Sequence, residues 1–174
     1  QTLSAASSSA ASAPRSSIPA AAEAFFVGSL AITDGADAEA WEALYMAQAR
    51  AGRFVALDPN IRAPFIHDRA GYLARLDRML TQADLVKLSD EDIAWIMPGE
   101  TPAAALRNLA GKSSADLMVL TMGGEGAIAV AAGQDYAVPA APVPDFKDTV
   151  GAGDTFMGTL LAQIGRNGRL RRGG

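Results

Sequence analysis

The sequence contains no cysteine and a single histidine, His67. The absence of cysteine excludes disulfide scaffolds, iron–sulfur clusters, cysteine-ligated zinc and cysteine nucleophiles. A multi-histidine metal site is excluded as well, and a Ser-His-Asp triad would have to use His67. No apolar run reaches the roughly 18 residues that a membrane-spanning helix needs. These absences fit a reducing compartment, and we predict a cytoplasmic location with no membrane partner.

Basic residues are also scarce over most of the chain. Residues 1–164 carry 11 basic and 19 acidic side chains, whereas residues 165–174 carry four arginines and no acid. An acidic body argues against broad nucleic-acid binding, so no nucleic-acid partner is predicted. Composition further predicts three segments: a Ser/Ala-rich irregular segment over 1–22, an α/β domain over 23–164 and a basic Gly/Arg tail over 165–174.

Strand and helix patterns alternate along the chain. Short apolar runs ending in turn residues predict strands at 24–30, 53–57, 84–88 and 116–121. Apolar stripes and capping residues predict helices at 36–51, 68–82, 89–97 and 101–111. Further strands are predicted at 127–131, 135–138 and 143–146, followed by a last helix at 151–164. This order predicts an α/β fold with a mostly parallel central sheet and helices on both faces.

The string DTVGAGDTF at residues 148–156 leads directly into the last predicted helix. Glycines allow a ligand close to the backbone and permit unusual dihedral angles. The free N–H groups and the dipole of a helix start favour an anion at that point. Asp154 in the same turn is suited to take a proton from a hydroxyl that attacks the anion. The structural alternative is a capped strand-to-helix turn with a solvated aspartate.

At these residues the sequence resembles the ribokinase-like, or PfkB-type, sugar kinase family, and the resemblance covers about residues 24–164. DTVGAGDTF resembles the C-terminal signature of that family. Residues 58–62 (DPNIR) are similar to its DPNxR motif, and residues 87–92 (KLSDED) to the segment with its NxxE pattern. Residues 121–126 (TMGGEG) are similar to its TxGxxG nucleotide loop. A Walker A motif and the Rossmann string GxGxxG are both absent.

The resemblance implies a role for each matched position. Asp154 would be the base that activates the acceptor hydroxyl, and Arg62 would contact the substrate. Backbone N–H groups would form an anion hole at Gly151, Ala152 and Gly153. The implied nucleotide-binding residues are Asn60, Lys87, Ser89, Thr121, Gly123 and Gly126. Asp92 would help organise Mg²⁺, mostly through water, and Asp148 would lie near a monovalent cation such as K⁺. ATP and a small sugar are therefore the implied ligands.

The sequence departs from the family pattern in several places. Ser89 and Asp92 stand where the NxxE motif has asparagine and glutamate. The N-terminal sugar-binding segment, the lid and the closing segment of the family have no match, so a ribokinase-like major domain without its lid is expected. Fructose is the implied acceptor, with 2-keto-3-deoxygluconate as the alternative. A catalytically silent nucleotide-binding fragment and a flavodoxin-like binding module remain open, and a homodimer is possible for the family.

Four other side chains have ordinary structural interpretations. His67 precedes a predicted helix, which favours a surface or capping role. Trp41 and Trp95 lie on apolar helical stripes and are predicted to be in the core. Lys87 lies in an apolar strand near its end, where a lysine usually reaches solvent, although here it could approach nucleotide phosphates.

Overall fold

The computed structural model describes residues 18–142, 148 and 150–170. Within these residues the chain forms six strands and five α-helices. The strands are β1 (Ala24–Gly28), β2 (Phe54–Asp58), β3 (Leu85–Ser89), β4 (Leu117–Thr121), β5 (Ala127–Ala131) and β6 (Gln134–Val138). The helices are α1 (Gly35–Arg50), α2 (Arg69–Leu80), α3 (Asp90–Ile96), α4 (Pro102–Ala110) and α5 (Ala152–Arg166).

All six strands belong to one sheet in the order β1-β2-β3-β4-β5-β6. Strands β1 to β4 are parallel to one another, and β5 and β6 form an antiparallel extension beside β4. The prediction of a mostly parallel sheet is confirmed. Each parallel neighbour is reached through at least one helix, as crossover connections between parallel strands require.

Helices cover both faces of the sheet, also as predicted. Alternate residues of β2 point to opposite faces: Val55 and Leu57 join a large core with α1 to α4, while Phe54 and Ala56 join a smaller cluster with Met157 of α5. All five residues of β2 are therefore buried. This double burial explains why the parallel strands are apolar almost throughout instead of alternating with polar residues.

Three helices begin at a side-chain cap, and the sequence predicts two of these caps, at Ser89 and Thr101. The Asp68 carboxylate accepts a hydrogen bond from the Gly71 N–H at 2.9 Å, immediately before α2. Ser89 and Asp92 form a reciprocal capping box at α3. Thr101 caps α4, which has Pro102 in its first turn. Because these bonds satisfy N–H groups that lack helical acceptors, the helices begin close to the positions that the sequence predicts.

Strand β1 differs most from its prediction. It ends at Gly28 rather than at residue 30, and among the described strands it pairs only with β2, which leaves Phe26 43% exposed in this structure. At this last residue the two backbones are very close, so that a Cβ on Gly28 would overlap the carbonyl oxygen of Asp58. The chain then forms a short 3₁₀ turn over Ser29–Ile32.

Smaller differences concern single residues. Trp41 and Trp95 are half-buried against the core rather than enclosed by it, and His67 is exposed as expected. Helix α5 continues to Arg166, two residues beyond the predicted end. The strand predicted at 143–146 lies outside the described residues. No helix of the described ranges combines the length and the apolarity that a bilayer crossing demands.

Candidate active site

A cavity of about 790 Å³ lies at the carboxyl edge of the parallel strands. Ten of the thirteen site residues that the sequence predicts line it. They are Asn60, Arg62, Lys87, Ser89, Asp92, Thr121, Gly123, Gly126, Ala152 and Gly153. Gly151, Asp154 and Asp148 are outside this lining. The carboxyl ends of β2, β3 and β4 lie side by side in a parallel sheet, so the loops that follow them converge at one edge.

The N-terminus of α5 forms one wall of the cavity. Gly151 is the N-cap, with φ at 75°, a left-handed value that favours glycine, and it supplies no side-chain cap. The first N–H groups of a helix have no intrahelical acceptor and are therefore available to an anion. Gly153 does not have a positive φ, so the dihedral argument applies at Gly151 and not at Gly153. At Gly153 the constraint is space, because a Cβ would stand 3.1 Å from the Lys87 ammonium.

Two aspartates flank this helix start. Asp154 lies in the first turn of α5 and its side chain is exposed, so it is open to a ligand. Its negative charge also contributes to raising the pKa of Asp58, after the larger effect of burial. Asp148 is exposed, and its carboxylate accepts a hydrogen bond from the Val150 N–H at 3.0 Å. This bond closes the turn that precedes Gly151.

A buried ion pair joins Lys87, which lines the cavity, to Asp58, which is outside the lining. The Lys87 ammonium lies 3.2 Å from the Asp58 carboxylate, and the two side chains are only 5% and 2% exposed. The expectation that Lys87 reaches solvent is therefore wrong. Strand β3 is covered on both faces, so a lysine in it stays buried and needs an anionic partner. Lys87 is held beneath Gly153 with its positive charge at the cavity wall.

Asp58 is the residue of this site that the sequence analysis missed. Its other oxygen, Oδ1, is buried and has no hydrogen-bond partner among the described residues. Burial raises the pKa of Asp58 to about 6, although Lys87 opposes the shift; Asp92 and Asp154 add to it. Two features of the sequence could have predicted this pair. An aspartate stands at the end of one apolar strand, and a lysine stands inside the next strand, where it needs a counter-charge.

The loop after β4 supplies the opposite side of the cavity. Thr121 ends β4, and its hydroxyl donates a hydrogen bond to the Leu88 carbonyl at 3.2 Å. Gly123 and Gly126 both have positive φ values, 53° and 100°. A Cβ would meet nothing within 4 Å at Gly123, whereas at Gly126 it would overlap the Val138 carbonyl. Only a glycine fits at position 126. At Gly123, which lines the cavity, no side chain covers the backbone.

The buried Asp58 predicts how stability depends on pH. Its pKa rises from the ordinary 3.8 to about 6 on folding. Between these values the folded protein binds more protons than the unfolded chain, so stability falls as the pH rises. We expect the free energy of unfolding of the wild type, relative to Asp58→Asn, to decrease from about pH 4 to about pH 7.

Urea unfolding of both proteins across this interval measures the difference. Asp116→Asn, which removes an exposed carboxylate, serves as the control and should leave the pH slope of the wild type unchanged. Parallel pH profiles for the wild type and Asp58→Asn would contradict the raised pKa.

The fold and the cavity together define an α/β protein with a helix N-terminus and a buried lysine at the carboxyl edge of a parallel sheet, a combination suited to an anionic ligand. Residues 3–172 match the family described as pfkB family carbohydrate kinase, and the chain belongs to that family. The resemblance carried by the sequence motifs is thereby confirmed.

Individual relatives agree with this assignment. The chain is 40% identical over 143 residues to a fructokinase of Rhizobium leguminosarum bv. trifolii, covering 82% of this chain and 43% of the relative. Among solved structures it is similar to aminoimidazole riboside kinase from Salmonella enterica, with a TM-score of 0.74 and 26% identity over 82% of this chain and 48% of the other.

A fructokinase from Vibrio cholerae O395, in a fructose, ADP and calcium ion bound form, is similar as well. Its TM-score is 0.73 at 27% identity, covering 81% of this chain and 45% of the fructokinase. The chain thus spans about half the length of the relatives that it matches.

Proposed function

We propose that a protein carrying these residues is an ATP-dependent sugar kinase that transfers the γ-phosphoryl group to a hydroxyl of fructose. The observation that supports this most directly is that the free start of α5 and the buried Lys87 meet at one cavity, with the exposed Asp154 in the first turn of the same helix. The relatives named fructokinase favour fructose as the acceptor. We further propose residues 23–164 as the catalytic domain.

The proposed chemistry follows from the demands of phosphoryl transfer, in which the protein mainly positions the reactants and stabilises charge. Backbone N–H groups at residues 151–153 would hold the transferred group, and the Lys87 charge beneath them would favour the same anion. Asp154 would take the proton from the attacking hydroxyl. Asn60, Ser89, Thr121 and the glycines of residues 123–126 would bind the nucleotide.

Magnesium normally accompanies ATP, but the described acids do not form a cage for it. They contain no cluster of three side chains of the kind that binds a metal ion. Asp58 is paired with Lys87, and both oxygens of Asp92 accept backbone hydrogen bonds. We therefore derive no catalytic step through a protein-bound Mg²⁺. A monovalent cation at Asp148 stays a prediction.

One observation favours the second acceptor, 2-keto-3-deoxygluconate. Arg62 is exposed and lines the cavity, and a guanidinium group suits a carboxylate, which this sugar acid has and fructose lacks. The test is a coupled assay of ADP release by the full-length protein with each sugar in turn. Turnover with fructose alone supports the first proposal, turnover with the sugar acid alone supports the second, and turnover with neither contradicts both.

The 174-residue polypeptide by itself is expected to show no sugar-dependent ADP release at an enzymatic rate. It retains the proposed base and helix start, yet it spans only 43% of the Rhizobium relative. Unless the sugar is bound, its hydroxyl is not held in line with the phosphoryl group near Asp154. Most of the rate increase that comes from positioning the reactants is then lost. Weak ADP binding at the helix start should remain.

Both properties can be measured on the purified polypeptide, by calorimetric titration of ADP and by the same coupled assay with fructose. Turnover approaching the ~1–100 s⁻¹ usual for kinases would contradict this expectation. It would place the sugar site within these 174 residues.

A further inference from the structure

We propose that Asp92 is a positioning residue that fixes the loop carrying Asn60 and Arg62, and that it is not a magnesium ligand. This inference rests on the proposed function for its meaning in catalysis. It differs from the role that the resemblance implied for Asp92, which was to help organise Mg²⁺ mostly through water. It concerns residues 58–62, called the β2 loop below.

The side chain of Asp92 connects two loops by hydrogen bonds, and this connection is called the clasp below. Its Oδ1 accepts a hydrogen bond from the Ile61 N–H at 2.6 Å, and its Oδ2 accepts one from the Ser89 N–H at 2.8 Å. Its own N–H donates to the Ser89 hydroxyl at 3.1 Å. The residue is 3% exposed. Each carboxylate oxygen is thus bound to a backbone donor, and one side chain joins the β2 loop to the end of β3.

The β2 loop needs such a restraint because its backbone is strained. Asn60 has φ at 39°, in the left-handed region that a non-glycine residue enters at a cost, although asparagine tolerates it better than most. Such a conformation persists only where its surroundings hold it. The Pro59 carbonyl accepts a bond from the Ser29 N–H at 3.0 Å on one side of Asn60, and Asp92 holds the Ile61 N–H on the other.

Fixing the β2 loop also fixes two side chains that line the cavity. Asn60 and Arg62 flank Ile61, and both line the cavity. With Ile61 anchored, its two neighbours project from a backbone of fixed shape. Without the anchor, Asn60 can relax to an ordinary φ, which redirects both side chains. Asp92 would therefore act on the ligand only through the β2 loop.

Coordination of magnesium by Asp92 does not fit these contacts. Mg²⁺ demands near-ideal octahedral geometry and short bonds to oxygen. Turning either oxygen of Asp92 away from its present partner to bind a cation would give up a charge-assisted hydrogen bond to a half-buried backbone N–H. The acids of the described ranges form no group of three side chains placed to hold a metal ion together.

The decisive experiment measures ADP affinity of the full-length protein by calorimetry, once in EDTA and once with excess Mg²⁺. Asp92→Asn presents an amide N–H₂ to one of the two backbone donors and so loses one clasp bond. We expect affinity to fall on the order of tenfold, the effect of one lost charge-assisted bond, and by the same factor in both buffers. A loss confined to the Mg²⁺ buffer would overturn the proposal.

Asp92→Glu gives a second, opposite test. A glutamate occupies this position in the NxxE motif that the sequence resembles, so a metal role predicts that this variant behaves like the wild type in Mg²⁺. A clasp role predicts weaker ADP binding in both buffers, because the longer side chain cannot hold both N–H groups at their present distances. Asp77→Asn, an exposed acid on α2, is the control for loss of charge and should bind ADP normally.

These measurements remain informative if one variant or one proposal fails. Thermal unfolding of each variant shows whether it folds, and if Asp92→Asn does not, Asp92→Glu decides. The titrations with ADP can be carried out whether or not the protein phosphorylates a sugar. If the wild type binds ADP but phosphorylates no sugar, the proposed function is wrong while the clasp is still tested. If sugar is phosphorylated and Asp92→Glu binds ADP as the wild type does, the clasp is wrong and the function stands.

Discussion

Replacing Asp154 with asparagine is expected to lower kcat of the full-length enzyme by roughly 10²–10⁴-fold, which is the usual contribution of a general base. Asparagine has nearly the same shape as aspartate but cannot accept the hydroxyl proton. Asp154 is exposed in the first turn of α5, so the substitution removes no buried contact. The affinity for ADP should be almost unchanged, because the N–H groups of the helix start are retained.

The matched control is Asp37→Asn. Asp37 is also an exposed acid in the first turn of a helix, α1, and it is not among the residues that line the cavity. Steady-state rates with saturating ATP and sugar, together with ADP titrations, separate the two effects. Near-normal turnover of Asp154→Asn, or an equal loss in both variants, would refute the assignment of the base.

Gly153→Val is expected to lower kcat by about 10²–10³-fold, the effect of losing one donor of an anion hole. A Cβ at this position would stand 3.1 Å from the Lys87 ammonium, and the branched valine would extend further into the cavity wall. The side chain would therefore occupy the space where the phosphoryl group meets the helix start. It would also disturb the buried pair of Lys87 with Asp58.

Helix α5 itself offers the control for Gly153→Val. Gly158 lies on the same helix, and a Cβ there would meet nothing within 4 Å. Gly158→Val makes the same chemical change at an exposed position and should leave kcat close to that of the wild type. Gly153→Ala should fall between the two. If both valine variants had the same rate, the backbone cradle at residues 151–153 would be the wrong explanation.

Local patterns in the sequence determined most of the fold. The apolar runs, the caps at Asp68, Ser89 and Thr101, and the glycine string before α5 each depend on residues that are close along the chain. Hydrophobic periodicity reports whether a segment is a helix or a strand, and capping residues report where a helix starts. The family motifs also identified ten of the residues that line the cavity.

The tertiary structure alone decided how charges are distributed in the site. Lys87 and Asp58 are distant in sequence and become an ion pair only because β2 and β3 are neighbours covered on both faces. Asp92 resembles a metal ligand in the sequence, but the approach of the β2 loop engages its Oδ1 with the Ile61 N–H. Pairings of this kind result from packing between separate segments, which periodicity and capping signals do not encode.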